Sequence, residues 1–152
     1  MLTELWAKVS AKERFIVYGS IAAIVGWLLG LILGSKTYGV AGIATYTANY
    51  FTWGTAGMCV HLALLAAIAT LVVIYLKVAP NTNITWPLPV VQILLGLTAA
   101  VAVLGVLALL FQFTNGLSDA PIMMYVADLL IIGGGGFAAY TAYTEFKASK
   151  VA

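Results

Sequence analysis

The sequence predicts an all-α membrane protein: four transmembrane helices in an antiparallel bundle, preceded by a short N-terminal amphipathic interfacial helix. Three observations lead there. First, the chain of 152 residues is 63% hydrophobic and 8% charged, with a mean hydropathy of +1.06. A soluble domain carries about 25% charged residues, so this chain lacks the polar groups to cover its own surface. Second, four stretches come close to the roughly 20 apolar residues that a bilayer crossing requires. Third, Lys and Arg are divided unequally between the connections. The net charge of +2 is too small to indicate nucleic acid as a partner. The single Cys59 excludes an internal disulfide framework, a CxxC redox pair and a Cys-rich zinc site.

The elements follow in order. Leu2, Leu5, Trp6 and Val9 recur at i, i+3, i+4 and i+7, with Glu4 and Lys8 on other faces. That spacing makes a short helix suited to lying along the membrane surface. "SAKE" (10–13) reads as a capping box that opens the first span. The spans are placed at about 15–33, 57–76, 90–111 and 122–143, and residues 1–152 form a single membrane domain. The first span is longer than a signal-peptide core and lacks a clear small-x-small cleavage site, so it is expected to stay as an anchor. Pro89 and Pro121 sit at the first turns of the third and fourth spans, where proline is tolerated. Asp119 is a plausible cap for the fourth.

Orientation comes from the basic residues. Four spans put both termini and the middle connection on one side. That side holds Lys8, Lys12, Arg14, Lys77, Lys147 and Lys150, and the other holds Lys36. The positive-inside rule then places both termini in the cytoplasm, with the chain multi-pass in an inner or plasma membrane. Trp86 falls near the inner interface; Tyr38, Tyr46, Tyr50, Phe51 and Trp53 fall near the outer one, where aromatic belts form. The outer connection "SKTYGVAGIATYTANYFTW" is apolar for a loop and is expected in the headgroup region, a surface for a partner subunit being the alternative. "NIT" at Asn83 matches a glycosylation sequon but lies on the predicted cytoplasmic side.

Small residues gather where membrane helices touch, because lipid tails are as apolar as Leu and association depends on close contact. The first span carries Ala22, Gly26, Gly30 and Gly34, each four apart. The third adds Gly96, Ala100 and Gly105, and the fourth Gly133, Gly134, Gly135, Gly136 and Ala139. The bilayer forces backbone hydrogen bonding inside the helix, so "LLIIGGGGFAAY" is expected to stay helical. These residues are read as the helix-packing faces, whether toward helices of this chain or of another.

Two ionisable residues stand inside the spans. Asp128 shares a face with Gly135, Ala139 and Ala142, opposite Phe137, Val126 and Leu130, which suit lipid. Intramembrane ionisable residues usually point inward. Asp128 lies seven residues after Pro121, and His61 seven after Gly54. Their similar depth makes them a possible intramembrane polar pair, and pairing lowers the cost of burying either group. Against it, the small side of the second span (Ala63, Ala66, Ala67, Thr70) faces away from His61. The plainer readings are an acid, protonated or hydrogen-bonded, that fixes helix register, and a His reaching for the outer headgroups. Gln112 and Tyr125 lie closer to the outer surface.

No metalloprotease motif, carboxylate pair, nucleophile–base set or phosphate loop is present, so no enzymatic activity is expected. No cofactor or metal site is predicted. Ligation of a haem or chlorophyll-type pigment by His61, with Met58 or Met124 opposite in the haem case, is formally open, with nothing else in the sequence to support it. Two function classes remain. One is a non-catalytic accessory or scaffold subunit that packs through Gly/Ala faces in a larger membrane assembly. The other is a small oligomeric transporter or channel handling protons or cations through Asp128 and His61. The expected partners are the lipid bilayer and other membrane subunits or further copies of the chain.

The layout resembles that of uncharacterised small four-span bacterial integral membrane proteins: a charged start ending "SAKER", a first span with "VGWLLGLILG", an aromatic connection with "YFTWG" and a short basic tail. That resemblance implies no activity. The combination of glycine-rich helices with a carboxylate in the last span is also similar to four-span rotary-ATPase proteolipids. Segments "MCVHLALL" (58–65) and "MYVADLLI" (124–131) are faintly alike. The first two spans depart from that pattern, matching the last two poorly. Asp128 also lies nearer the outer surface than a mid-membrane proton carrier.

Overall fold

The computed structural model describes residues 2–40, 44–49, 51, 54–80, 82, 84–114 and 120–151. The expectations for Tyr50, Trp53, Asn83 and Asp119, and for the side chains of Leu2 and Tyr46, lie outside the described residues. Helix α1 (Leu2–Lys8) is followed by α2 (Ala11–Leu33), the strands β1 (Ser35–Val40) and β2 (Ala44–Asn49), then α3 (Gly54–Val78), α4 (Val90–Thr114) and α5 (Ile122–Val151). Helices α2, α3, α4 and α5 are each long and apolar enough to cross a membrane, as a multi-pass membrane protein requires.

The helices begin where local chemistry dictates. Ser10 Oγ accepts from the Glu13 N–H at 3.2 Å, and Glu13 Oε2 accepts from the Ser10 N–H at 3.0 Å. The expected capping box is therefore formed at the start of α2. Pro89 and Pro121 stand one residue before α4 and α5 rather than inside the first turns. Their carbonyls accept from Gln92 and Met124, each at 2.8–2.9 Å. All four long helices overrun the expected spans, α5 most of all. The basic tail with Lys147 and Lys150 is its continuation, not a loose end.

The connection between α2 and α3 departs from the loop expectation. It is an antiparallel hairpin in which Ser35 pairs with Asn49 and Val40 with Ala44. The hydroxyls of Thr37 and Thr47 lie 3.0 Å apart across it. Asn49 ties it down: its Nδ2 donates to the Leu31 carbonyl at 2.8 Å, and its Oδ1 accepts from the Phe51 N–H at 3.0 Å. Phe51 is not an interface aromatic. It is fully buried, and its ring fills the space beside Gly30. Gly54, with φ of 64°, takes a left-handed conformation as α3 begins.

Helix α5 packs most extensively on α2 and then on α4; α3 packs on α4 and more lightly on α2. The helices thus close a ring in the order α5, α2, α3, α4. The core forms two clusters. One, toward the hairpin, joins Phe51, Val60, Ala63, Val101, Ala108, Met124 and Ile131. The other, toward the chain termini, joins Val9, Ile16, Ile74, Leu94, Ala138 and Ala142. The α2–α3 seam is the loosest of the ring. An apolar groove of about 180 Å³ runs beside it, lined by Leu5, Trp6, Val17, Leu71 and Tyr75 among others. Arg14 holds α1 across this end, donating to the Trp6 and Val9 carbonyls at 3.1 and 3.2 Å.

Candidate functional site

The small residues decide how closely the helices approach, and they divide between several neighbours. A Cβ placed on Gly134 would lie 2.5 Å from the Gly19 carbonyl oxygen and 2.9 Å from the Ala23 nitrogen, both on α2. On Gly135 it would lie 2.7 Å from Val101 Cγ1 and 2.8 Å from the Ala102 nitrogen, on α4. Gly26 meets Ala127 and Leu130, Ala22 approaches Gly134, and Gly105 meets Ile131 and Ile132. Gly30 and Gly34 face Phe51 instead of a helix. Gly19 lies on this face although the sequence pattern passed over it. Three expected packing positions meet no neighbour among the described residues of this chain. A Cβ on Gly96, Gly133 or Gly136 would meet nothing within 4 Å among the described residues. Gly96 and Gly133 point outward, and Ala100 and Ala139 are half-buried at the edges of their helix faces. Leu130, expected against lipid, lies against α2 at Gly26.

This packing seals Asp128 inside. Asp128 and Gln112, on α5 and α4, are both 0% exposed. Gln112 is the hydrogen-bonding side chain that faces the Asp128 carboxyl. Neither group is at bonding geometry: both Asp128 oxygens and both Gln112 polar atoms are buried without a hydrogen-bond partner. Buried polar atoms normally have partners, so four orphans at one contact require an explanation.

The structure does not join Asp128 to His61. His61 is exposed on the outer side of α3, and its Nδ1 accepts from Trp27 Nε1–H at 3.1 Å. The rings meet edge to face, with centroids 5.8 Å apart. Ala63, Ala67 and Thr70 take the inward face of α3, and this turns His61 away, as the position of the small residues foreshadowed. With its Nδ1 lone pair engaged, neutral His61 carries its proton on Nε2. Ligation through Nε2 would require moving that proton and giving up the Trp27 bond. Among the described residues, no group of three or more His, Cys, Asp or Glu stands together to hold a metal ion.

A second polar cluster lies at the opposite end of the bundle. Glu13 is buried and forms an ion pair with Lys77 of α3, whose side chain is 41% exposed. The half-buried Glu145 of α5 is close enough to feel both charges, and its Oε2 has no hydrogen-bond partner. In the sequence Glu13 reads as a cap and Lys77 as a topology marker, with no local pattern to pair them. Both fall in terminal turns at the same end of the bundle, which was the available signal. Between the two ends, three buried threonine hydroxyls are satisfied within their own helices. Thr70, Thr98 and Thr141 donate to the carbonyls of Ala66, Leu94 and Phe137, four residues back, at 2.8, 2.7 and 2.9 Å. They do not build a polar path between Asp128 and Glu145.

Compared with protein-family models, curated proteins and solved structures, the chain shows no match.

Proposed function

We propose that the chain is a non-catalytic accessory or scaffold subunit of a larger membrane assembly, embedded in the cell membrane. Its four spans run antiparallel with both termini in the cytoplasm, and α1 lies in the inner interface with Leu5 and Val9 toward the bundle. The observation that carries this reading is the open space at Gly96, Gly133 and Gly136. Glycine in a helix costs up to about 1 kcal/mol relative to alanine, and at these positions no contact with the described residues offsets that cost. Close approach of a helix from another subunit, or from a second copy, offsets it. The partner-facing positions are therefore these three, and Gly26, Gly134 and Gly135 hold the subunit itself together.

Native purification in mild detergent tests the proposal. The parent is expected to migrate with other subunits or as an oligomer. Gly133→Leu is expected to release it as a folded single chain. A parent that migrates alone in every mild detergent and in native lipid discs refutes the reading. A second reading, proton or cation handling, is favoured by one observation: the fully buried Asp128 carboxyl without a hydrogen-bond partner. In that reading His61 has no part.

A further inference from the structure

The four orphan atoms at the α4–α5 contact have a specific chemical complementarity. An ionised carboxylate offers only acceptors, whereas a carboxamide offers one acceptor oxygen and a donor nitrogen. Against a carboxylate, Gln112 Nε2 finds a partner but Gln112 Oε1 is left facing a negative oxygen. One proton on Asp128 changes this. The carboxyl O–H then donates to Gln112 Oε1, and Gln112 Nε2–H donates to the other carboxyl oxygen. All four atoms left without partners are matched in a single closed ring. The outer torsions of Asp and Gln are broad and roughly two-fold, so both planar groups can turn to meet.

We propose that Asp128 and Gln112 form a proton-binding site, in which a neutral Asp128 carboxyl and the Gln112 carboxamide exchange two hydrogen bonds and latch α4 to α5. The surroundings agree. Helix α4 contains no ionisable residue. On α2, Lys12, Glu13 and Arg14 are at the far end, as are Lys77 of α3 and Glu145, Lys147 and Lys150 of α5. His61 is turned outward to Trp27. Among the described residues, the other titratable groups toward this end include Cys59, the Tyr125 phenol and, on the hairpin, Lys36 and Tyr38; Tyr125 stacks on Phe113 with centroids 5.6 Å apart. Lys36 is the cation among them; its Nζ lies over the Tyr38 ring, 5.7 Å from the centroid, and neither Asp128 oxygen has it as a hydrogen-bond partner. A bare metal ion fits poorly, since hard cations take about six or more oxygens and this contact offers three. With both residues at 0% exposure, the proton enters or leaves only when α4 and α5 part. The site holds whether or not the chain assembles with partners.

Infrared difference spectroscopy on the full chain in lipid bilayers at neutral pH, with proton–deuterium exchange as the probe, tests it. The expected result is a protonated-carboxyl C=O band that is absent in Asp128→Asn and shifts to higher frequency in Gln112→Leu, where the ring is open. Thermal unfolding in one detergent gives a second readout. Asp128→Asn keeps a two-bond ring and holds the parent Tm. Asp128→Leu and Gln112→Leu each lower Tm by orphaning the remaining partner. The double Leu variant recovers part of the loss, because both halves of the pair are removed together. A carboxylate band from Asp128 with no acid band overturns the proposal. So does a Tm raised by added sodium in the parent and not in Asp128→Asn, or a double variant as unstable as the two losses added.

Discussion

Gly134 and Gly135 adjoin in sequence but serve different neighbours, one against α2 and the other against α4. This makes single-methyl substitutions diagnostic. Gly134→Ala brings a methyl to 2.5 Å from the Gly19 carbonyl oxygen, where backbone on both sides must shift. Overpacking of this kind costs about 1–3 kcal/mol. Gly133→Ala meets open space and gains helix propensity of up to about 1 kcal/mol. Thermal unfolding of the two variants in one detergent should lower Tm for the first and hold or raise it for the second; equal losses would mean the α2–α5 approach is misplaced. The sequence showed that small residues pack here but passed over Gly19 and Ala23 and did not tell which neighbour each one meets. Steps of four drift by about 40° each around a helix with 100° per residue, so Ala22, Gly26, Gly30 and Gly34 do not share one line. The buried line is Gly19, Ala23, Gly26 and Gly30, spaced by alternating fours and threes. Asp128 was legible as an inward-facing acid because its helix face was small. Gln112 was visible as a polar residue, but its pairing was not, because pairing depends on the register of α4 against α5.

Among the elements, the spans were the easiest to read, since twenty apolar residues in a row leave few alternatives. The hairpin was not read, although Thr37, Tyr38, Thr45, Tyr46 and Thr47 are strand formers. An isolated two-stranded hairpin is marginal in water, and the anchoring by Asn49 and Phe51 is a tertiary contact that no local pattern reveals. The α2–α3 seam is bridged by polar contacts toward each end, Trp27–His61 and Glu13–Lys77. The second gives a directional prediction. Glu13→Gln keeps the capping box, which accepts Glu or Gln at this position, and removes the buried charge together with the pair. Lys77→Met leaves Glu13 buried without its cation, the costlier change. Partial exposure of Lys77 moderates the loss, so the expected penalty is on the order of 1–3 kcal/mol. Chemical unfolding should rank the parent first, Glu13→Gln second and Lys77→Met last. The reverse order of the two variants would show that the ion pair contributes little to the seam.

At the scale of the whole molecule, location in a membrane follows from composition, whereas orientation rests on the distribution of seven basic residues. With the termini cytoplasmic as proposed, an impermeant thiol reagent applied to intact cells should label Lys36→Cys and not Lys147→Cys; Cys59 is buried and should stay silent. Labelling of position 147 alone would invert the topology. The order of contacts in the ring was beyond sequence reasoning, because nearly every face of every span is apolar. The ring also has a temporal consequence. The most extensive interface joins α2 to α5, which leave the ribosome with α3 and α4 between them. While α3 and α4 are being inserted, Gly19, Ala23 and Gly26 wait in the bilayer without their final neighbour. Helix α2 has only its lightest large interface, that with α3, to lean on during that time. Translation stalled before residue 122 thus leaves a nascent chain whose tightest seam has no second half. Such a chain is expected to be degraded faster than the parent in a pulse-chase, and co-expressing α5 as a separate segment should slow that loss.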